Sequence, residues 1–179
     1  MITGRDRFNL YLLLALTAAV ACGCATHKDS KKKLLANLRV HLEAGPQDTD
    51  RSVQIPIYRA HPFQLLVQNE PFLTEAQVAS AKVVDALGGF DLQIQFDQQG
   101  TWLLQQYSAN NRDKHFAMFS QFGEKGKDSN SRWLAAPAFS RLISDGLIQF
   151  TPDTTREEAD QIALGLNNIA KKNQADLKW

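Results

Sequence analysis

Apolar and polar residues alternate along three segments of the chain, which is the pattern of a strand with one buried face. These segments are residues 38–42, 53–57 and 90–96. The first two flank a polar loop at residues 45–50, so we predict that they form a hairpin with a long loop. Further strands are predicted at residues 63–67, 115–122 and 147–150, and a strand-to-strand turn at Gly88 and Gly89.

Capping signals and apolar spacing predict four helices between and after these strands. They cover residues 74–80, a segment opening at Thr101, a short segment from Phe139 to Gly146, and a terminal segment from Thr154 or Thr155 to Lys172. Interspersed strands and helices are typical of an α+β fold. We therefore predict an α+β domain whose helices pack on one face of a mixed or antiparallel sheet.

The first 24 residues have the three parts of a signal peptide. Arg5 and Arg7 precede an uncharged apolar run at residues 8–21, and small residues surround Cys22 and Cys24. The run is shorter than the roughly 18 to 20 residues that comfortably span a bilayer. We expect cleavage and lipidation at Cys22 or Cys24, with Cys22 preferred. The alternative is an ordinary secretory leader that is cut near Ala25.

The pattern divides the chain into four parts. They are a lipoprotein-type signal peptide (1–24), a polar tether (25–36), a single folded domain (37–172) and a C-terminal tail (173–179). The tether contains Lys28, Lys31, Lys32 and Lys33, which we interpret as a solvated linker, with contact to anionic headgroups as the alternative. The lipid would hold the protein in the cell envelope, facing the periplasm or the exterior.

Composition narrows the class of protein further. The formal net charge is +1 and the sequence pI is about 7.8, whereas a nucleic-acid-binding domain normally has a strongly basic face. We therefore expect no nucleic-acid partner. The chain has two cysteines, both in the leader, so the folded part has no disulfide and depends on its hydrophobic core for stability.

The sequence lacks the motifs that predict catalytic, metal-binding or cofactor-binding residues. It has no Gly-x-Ser-x-Gly elbow and no His-x-x-x-His, Cys-x-x-Cys or Asp-x-Asp-x-Asp-Gly spacing. We interpret His41, His61 and His115 as exposed or hydrogen-bonded, and Trp102 and Trp133 as core or sheet-packing residues. Catalytic residues, metal ligands and cofactors are thus predicted to be none, and the binding residues stay unassigned.

Two other functions compete with that of a binding module. An envelope hydrolase acting on cell-wall polymer or peptide needs a cleft in which two titratable groups converge. Its candidate groups are His61, Glu70, Asp91, Asp97 and His115. A purely structural lipoprotein would use the folded domain only as a scaffold.

Several short motifs follow one another in a fixed order between residues 70 and 172. They are Pro71-Phe72-Leu73-Thr74-Glu75-Ala76, the strand 92–96 followed by Asp97 and Gly100, Tyr107-Ser108-Ala109-Asn110-Asn111, the strand 116–120, Trp133-Leu134-Ala135-Ala136-Pro137, Ile143-Ser144-Asp145-Gly146, Ile148-Gln149-Phe150-Thr151 and the terminal helix. In this order they resemble the periplasmic head subdomain of SecD, the protein-export subunit that assists the Sec translocon.

The resemblance implies a non-catalytic α+β interaction module that meets protein chains outside the cytoplasm, as an accessory of protein export or envelope assembly. Its partners would be the protein-export machinery or an extended polypeptide, which a groove or an exposed sheet edge can bind by strand addition. SecD itself carries several transmembrane helices on which its proton-coupled work depends. No apolar run of spanning length follows the leader here, so we do not expect a proton-driven motor.

Overall fold

The structure, a computed structural model, describes residues 34–45 and 47–176, and these form nine β-strands and two α-helices. The strands are β1 (Leu34–Leu42), β2 (Ser52–Ile57), β3 (Phe63–Gln68), β4 (Leu73–Thr74), β5 (Val78–Ala86), β6 (Gly89–Phe96), β7 (Phe116–Glu124), β8 (Asn130–Ala135) and β9 (Leu147–Phe150). The helices are α1 (Gln98–Asn110) and α2 (Arg156–Asp176). The predicted leader, with Cys22 and Cys24, lies outside the described residues.

The strands pair antiparallel and form three sheets. The largest has the order β4-β1-β7-β8, the second is the β2-β3 hairpin, and the third has the order β5-β6-β9. The predicted α+β fold is confirmed, and its sheets are antiparallel. Residues from Leu34 onward form a compact unit by themselves.

Helix α2 packs against one face of the four-stranded sheet. The helix buries apolar residues that recur at helical spacing, namely Ala159, Ile162, Ala163, Leu166 and Ala170. Ile162, Ala163 and Leu166 share one hydrophobic core with the alternate residues of β1 from Ala36 to Leu42 and with side chains of the third sheet. This core therefore joins two of the sheets and both helices.

The β2-β3 hairpin belongs to a second, smaller core. Ile55, Ile57, Leu65 and Val67 of the hairpin pack with Ala117 of β7, Ala136 and the half-buried Trp133. Ala117 alternates along β7 with Phe116 and Met118, which belong to the first core. Because alternate side chains of a strand point to opposite faces, the hairpin and α2 cover opposite faces of the four-stranded sheet.

The predicted hairpin between residues 38–42 and 53–57 is wrong. Strand β1 pairs with β4 and β7, and β2 pairs with β3 instead. Alternation indicates which side chains of a strand are buried, but it does not indicate which strand lies beside it. Strand β7, which pairs with β1 along its whole length, is separated from it by more than 70 residues of chain, so no local signal contains this pairing.

Two of the predicted helices are not formed. At residues 74–80 the capping box of Thr74 and Gln77 is present, but the helix lasts for a single 3-10 turn, Glu75–Gln77, and β5 follows. The segment from Phe139 to Gly146 has no helix because its backbone bonds elsewhere: the N–H of Ile143 donates to the Ser108 hydroxyl at 3.0 Å.

The ends of other elements differ by a few residues from the prediction. Helix α1 begins at Gln98 rather than at Thr101, because Asp97 caps it. Strand β1 begins inside the predicted tether, and α2 extends into the predicted tail at 173–179. The strand at 90–96 is confirmed, and Thr155 and Glu158 form the predicted capping box. The turn between β5 and β6 is present, but it lies at residues 87–88 rather than 88–89, because Gly89 already pairs with Ala86.

Candidate interaction surface

Two of the titratable side chains that a hydrolase would need line separate cavities. His61 lines a cavity next to the β2-β3 hairpin, together with Asp153. Glu70 lines another one with Asp48 and Asp50. Neither cavity contains a second member of the predicted group of five. Convergence among the five predicted residues is therefore not observed at these two cavities.

Asp91 and Asp97, from the same group, have structural partners. The Asp97 carboxylate accepts a hydrogen bond of 2.8 Å from the N–H of Gly100, which caps α1. The Asp91 carboxylate accepts bonds from the Gln149 amide at 2.9 Å and the Thr151 hydroxyl at 2.6 Å. These two bonds lower the pKa of Asp91, so it is ionised at neutral pH and ties β6 to the end of β9.

His41 and His115 are hydrogen-bonded, as predicted. His41 is buried, and its Nδ1 lies 2.8 Å from the carbonyl oxygen of Gln68. Burial lowers the pKa of His41, which favours a neutral ring that donates this bond. His115 Nδ1 lies 2.9 Å from Glu43 Oε2. The ring of His41 also meets the half-buried Trp133 edge-on at 5.4 Å, so the sheet-packing role predicted for this tryptophan is confirmed.

The core role predicted for Trp102 is wrong. Its side chain is 61% exposed on α1. The buried face of this helix is narrow, since it contains Gly100, Leu104 and Ser108. Trp102 lies outside this stripe. Its side chain faces solvent because of the position of the helix on the sheet, and the sequence does not specify that position.

Strand addition needs a sheet edge with free backbone groups, and several edges are blocked. At the β5 edge, the side-chain amide of Asn167 accepts from the Ala81 N–H at 2.9 Å and donates to its carbonyl oxygen at 2.7 Å. The edge of β2 carries Pro56, which has no N–H. Strand β9 has four residues, and the Leu147 N–H already donates to Asp145.

The outer edge of β8 is open over its first half. In β7 the N–H of Phe116 donates to the Pro137 carbonyl oxygen at 2.9 Å, on the side of β8. Backbone groups of successive residues point to opposite edges, so every second residue of β7 bonds β8. Arg132 is the β8 partner of one of these residues. The N–H and C=O groups of Ser131 and Trp133 therefore point outward.

A charged cluster closes the second half of this edge. The Asp153 N–H donates to the Leu134 carbonyl oxygen at 2.7 Å, and its carboxylate lies 3.2 Å from Nε of Arg59 at the end of the hairpin. Arg132 forms an ion pair with Glu158 on α2. Burial raises the pKa of Asp153 and Glu158, but hydrogen bonds from the arginines outweigh it and leave both pKa values lowered. The cluster therefore stays charged at neutral pH.

A cavity of about 420 Å³ lies next to this cluster. It is lined by Tyr58, Ala60, His61, Thr151, Pro152 and Asp153. Tyr58, which directly follows β2, has a φ of 60°, a left-handed conformation that is rare for a bulky residue. Its ring lies 6.0 Å from that of Phe63, and both side chains are more than one third exposed. The lining of the cavity thus includes the partly exposed Tyr58 and two small apolar residues, Ala60 and Pro152.

Within the described ranges, no group of three or more His, Cys, Asp or Glu side chains could hold a metal ion. Among these same residues, no helix has the length and the apolar character that crossing a membrane requires.

The model of one protein family, described as SecDF, P1 head subdomain, matches residues 52–170, more than half of the chain. The protein belongs to the SecDF P1 head family. The predicted resemblance to the SecD head is thereby confirmed. The match to the P1 head begins at β2, so β1 precedes it, although β1 lies between β4 and β7 in the largest sheet.

Solved structures of SecDF have the same fold. The structure of a membrane component SecDF that enhances protein export aligns with a TM-score of 0.53 and 18% identity, over 83% of this chain and 70% of that chain. SecDF in a super-membrane-facing form aligns with a TM-score of 0.51 and 18% identity, over 74% of this chain and 19% of that one. Comparison with curated proteins finds no match.

Proposed function

We propose that this protein is a non-enzymatic envelope lipoprotein that binds extended polypeptides, as an accessory of protein export or envelope assembly. The observation that carries the proposal is the SecDF P1 head match over residues 52–170. It is supported by the similarity of the fold to a SecDF that enhances protein export. Its partners are the export machinery and polypeptide segments outside the cytoplasm.

The β8 edge is the site that we propose for the polypeptide. An extended segment there pairs with the outward N–H and C=O groups of Ser131 and Trp133. Main-chain bonds of this kind do not depend on the sequence of the client, which suits a module that meets many exported chains. The cavity beside Tyr58 lies next to the cluster that ends the edge, where it accepts an apolar side chain of the client.

The membrane attachment that we propose is a lipid on Cys22 or Cys24. It is supported by the charged, apolar and small-residue parts of the leader, in the order of a lipoprotein signal peptide. The folded head then faces the periplasm or the exterior. One acyl chain binds a membrane only weakly, whereas the several chains of a lipoprotein anchor hold it firmly.

Binding of an unfolded protein tests the role of the β8 edge. The probe is fluorescent, reduced and carboxymethylated α-lactalbumin, and residues 25–179 are used because the compact unit begins at Leu34. We expect Ser131→Pro to weaken binding by about tenfold, because proline removes an outward N–H while the β7-β8 ladder remains. The measurement is fluorescence anisotropy.

Gln54→Pro is the matched control, because Gln54 points outward on the β2 edge, where Pro56 already interrupts the donors. This variant should keep its affinity for the probe. Binding at the β8 edge would be refuted if the unsubstituted chain did not bind the probe. It would also be refuted if both proline variants lost affinity equally while circular dichroism showed that their folds were intact.

Replacement of both leader cysteines tests the tether. In the Cys22→Ser/Cys24→Ser variant the head should appear in the soluble fraction of the envelope and take up no alkyne-tagged palmitate. Continued retention in the membrane would mean that the leader is not cleaved. The two single variants identify which cysteine carries the lipid, since one of them should still be labelled.

A further inference from the structure

Helix α1 has an outward face without charge. None of its 13 residues, Gln98–Asn110, is charged, although the solvent-facing side of a surface helix normally carries charged residues. The charged residues nearest in sequence, Asp97 and Arg112, lie beyond its two ends, and the Asp97 carboxylate is bonded to the N–H of Gly100. A ligand on this face therefore meets no charged side chain of the helix.

One tryptophan and two amide side chains form a row on this face. Gln106 follows Trp102 by one turn and Asn110 follows Gln106 by another, so neighbouring members have Cβ atoms about 6 Å apart. All three are exposed, Trp102 by 61%. We name these three residues the amide row. It spans about 12 Å along the helix axis.

The amide row borders a small cavity of about 260 Å³. The cavity is lined by Leu103, Gln106, Tyr107, Asn110 and Asn111, none of which is charged. The Tyr107 ring stacks on that of Phe72 with 4.2 Å between the centroids. The side-chain amide of Asn111 donates to the Tyr107 carbonyl oxygen at 3.0 Å. These two contacts fix part of the cavity wall before any ligand binds.

The amides of the row are not used by the fold. Within residues 34–45 and 47–176, no protein group forms a hydrogen bond with the side chain of Gln106 or Asn110. Each of these side chains can both donate and accept. Asn111 uses its side-chain nitrogen for the bond to Tyr107, and its side-chain oxygen remains an acceptor. The cavity wall therefore offers donors and acceptors together.

We propose that the amide row and its cavity bind an uncharged glycan chain. Hydroxyl and acetamido groups of sugars donate and accept hydrogen bonds, as the amides of the row do. The apolar C–H face of a sugar ring packs flat on an exposed indole, which Trp102 supplies. A charged polymer would lose hydration on this face without meeting an opposite charge on the helix.

The composition of the face favours a glycan over a folded protein partner. Protein interfaces usually have a centre of several apolar and aromatic side chains. On α1, all of which the structure describes, Trp102 is the one large exposed apolar residue. The remainder of the amide row is polar, which suits a ligand that is polar along its whole length.

The inference goes beyond the proposed function and requires neither the β8 edge nor the lipid on the leader. Helix α1 packs on the third sheet, where a Cβ on Gly100 would lie 2.8 Å from the Cβ of Phe96 in β6. Strand β8 belongs to the four-stranded sheet instead. The glycan and the polypeptide would therefore bind to different elements of the head.

Isothermal titration calorimetry with N-acetylchitohexaose, an uncharged β-linked glycan, tests the proposal on residues 25–179. We expect the unsubstituted head to bind this oligomer. The glucosamine hexamer, which has ammonium groups in place of the acetamido groups, should bind at least about tenfold more weakly. Trp102→Ala should weaken binding of the neutral oligomer about tenfold through loss of stacking, and Gln106→Ala about fivefold through loss of hydrogen bonds.

Gln105→Ala is the matched control, because it removes the same exposed side chain from the next position of the helix, outside the lining of the cavity. Its affinity should change less than about twofold. Trp102→Phe keeps an aromatic ring and should recover most of the affinity that Trp102→Ala loses. Binding should also shift the tryptophan emission to shorter wavelength, and this shift should be absent from Trp102→Phe.

Three results would overturn the inference. They are no binding of the neutral hexamer at millimolar concentration, equal binding of the charged hexamer, and equal losses of affinity in Gln106→Ala and Gln105→Ala. Failure of polypeptide binding or of lipidation would leave the measurement unchanged, because the assay contains neither.

Discussion

At the scale of single residues, Gly165 is a point of close approach between α2 and β1. A Cβ at this position would lie 2.6 Å from the backbone nitrogen of Ala36 and 2.7 Å from its Cβ. Glycine in the middle of a helix normally costs about 1 kcal/mol relative to alanine. The close approach of helix and strand offsets that cost, because only glycine leaves room for the Ala36 backbone.

Gly165→Ala should therefore destabilise the protein although it raises helix propensity. We expect the free energy of unfolding in urea to fall by about 1–3 kcal/mol, because the helix must move away from β1. Gly89→Ala is the control, since a Cβ there has no atom within 4 Å, and its effect should stay within about 0.5 kcal/mol. A Gly165→Ala protein as stable as the original would contradict this packing.

At the scale of elements, the sequence predicts which segments become strands better than it predicts their partners. The alternation of Phe90, Leu92, Ile94 and Phe96 suffices for β6, because the signal lies within the strand itself. The capping box of Thr74 likewise forms, but its helix ends after one turn because tertiary pairing of β5 with β6 overrides the local signal. Pairings between distant strands depend on the core as a whole.

The closure of the β5 edge by α2 is one of these tertiary effects. Asn167→Ala leaves the N–H and C=O of the buried Ala81 without their side-chain partner. The free energy of unfolding should fall by about 1–3 kcal/mol, measured by urea denaturation. Gln174→Ala, on an exposed position of the same helix, should have little effect. If the two substitutions were equally mild, Asn167 would not be an edge cap.

At the scale of the whole molecule, the order of the motifs predicts the family and the fold class, although each motif alone is short. The candidate site cannot be predicted in this way, because no motif in the sequence indicates a binding residue. Ser131 faces outward on β8 only because of the register that Phe116 and Pro137 set across the sheet. A polar residue in a Ser- and Asn-rich stretch gives no local sign of this role, so the structure is needed to find it.

The central claim is that the β8 edge of a membrane-tethered head binds exported polypeptides. Photocrosslinking in intact cells tests this claim most directly. Ser131 of the full-length protein is replaced by p-benzoylphenylalanine, newly made proteins are pulse-labelled, and the adducts are identified. The same probe at Arg112, an exposed residue in the loop before β7, is the control. The account predicts adducts with newly exported chains from position 131 and few from position 112. Equal yields at both positions, or no adduct with an exported chain from position 131, would contradict it.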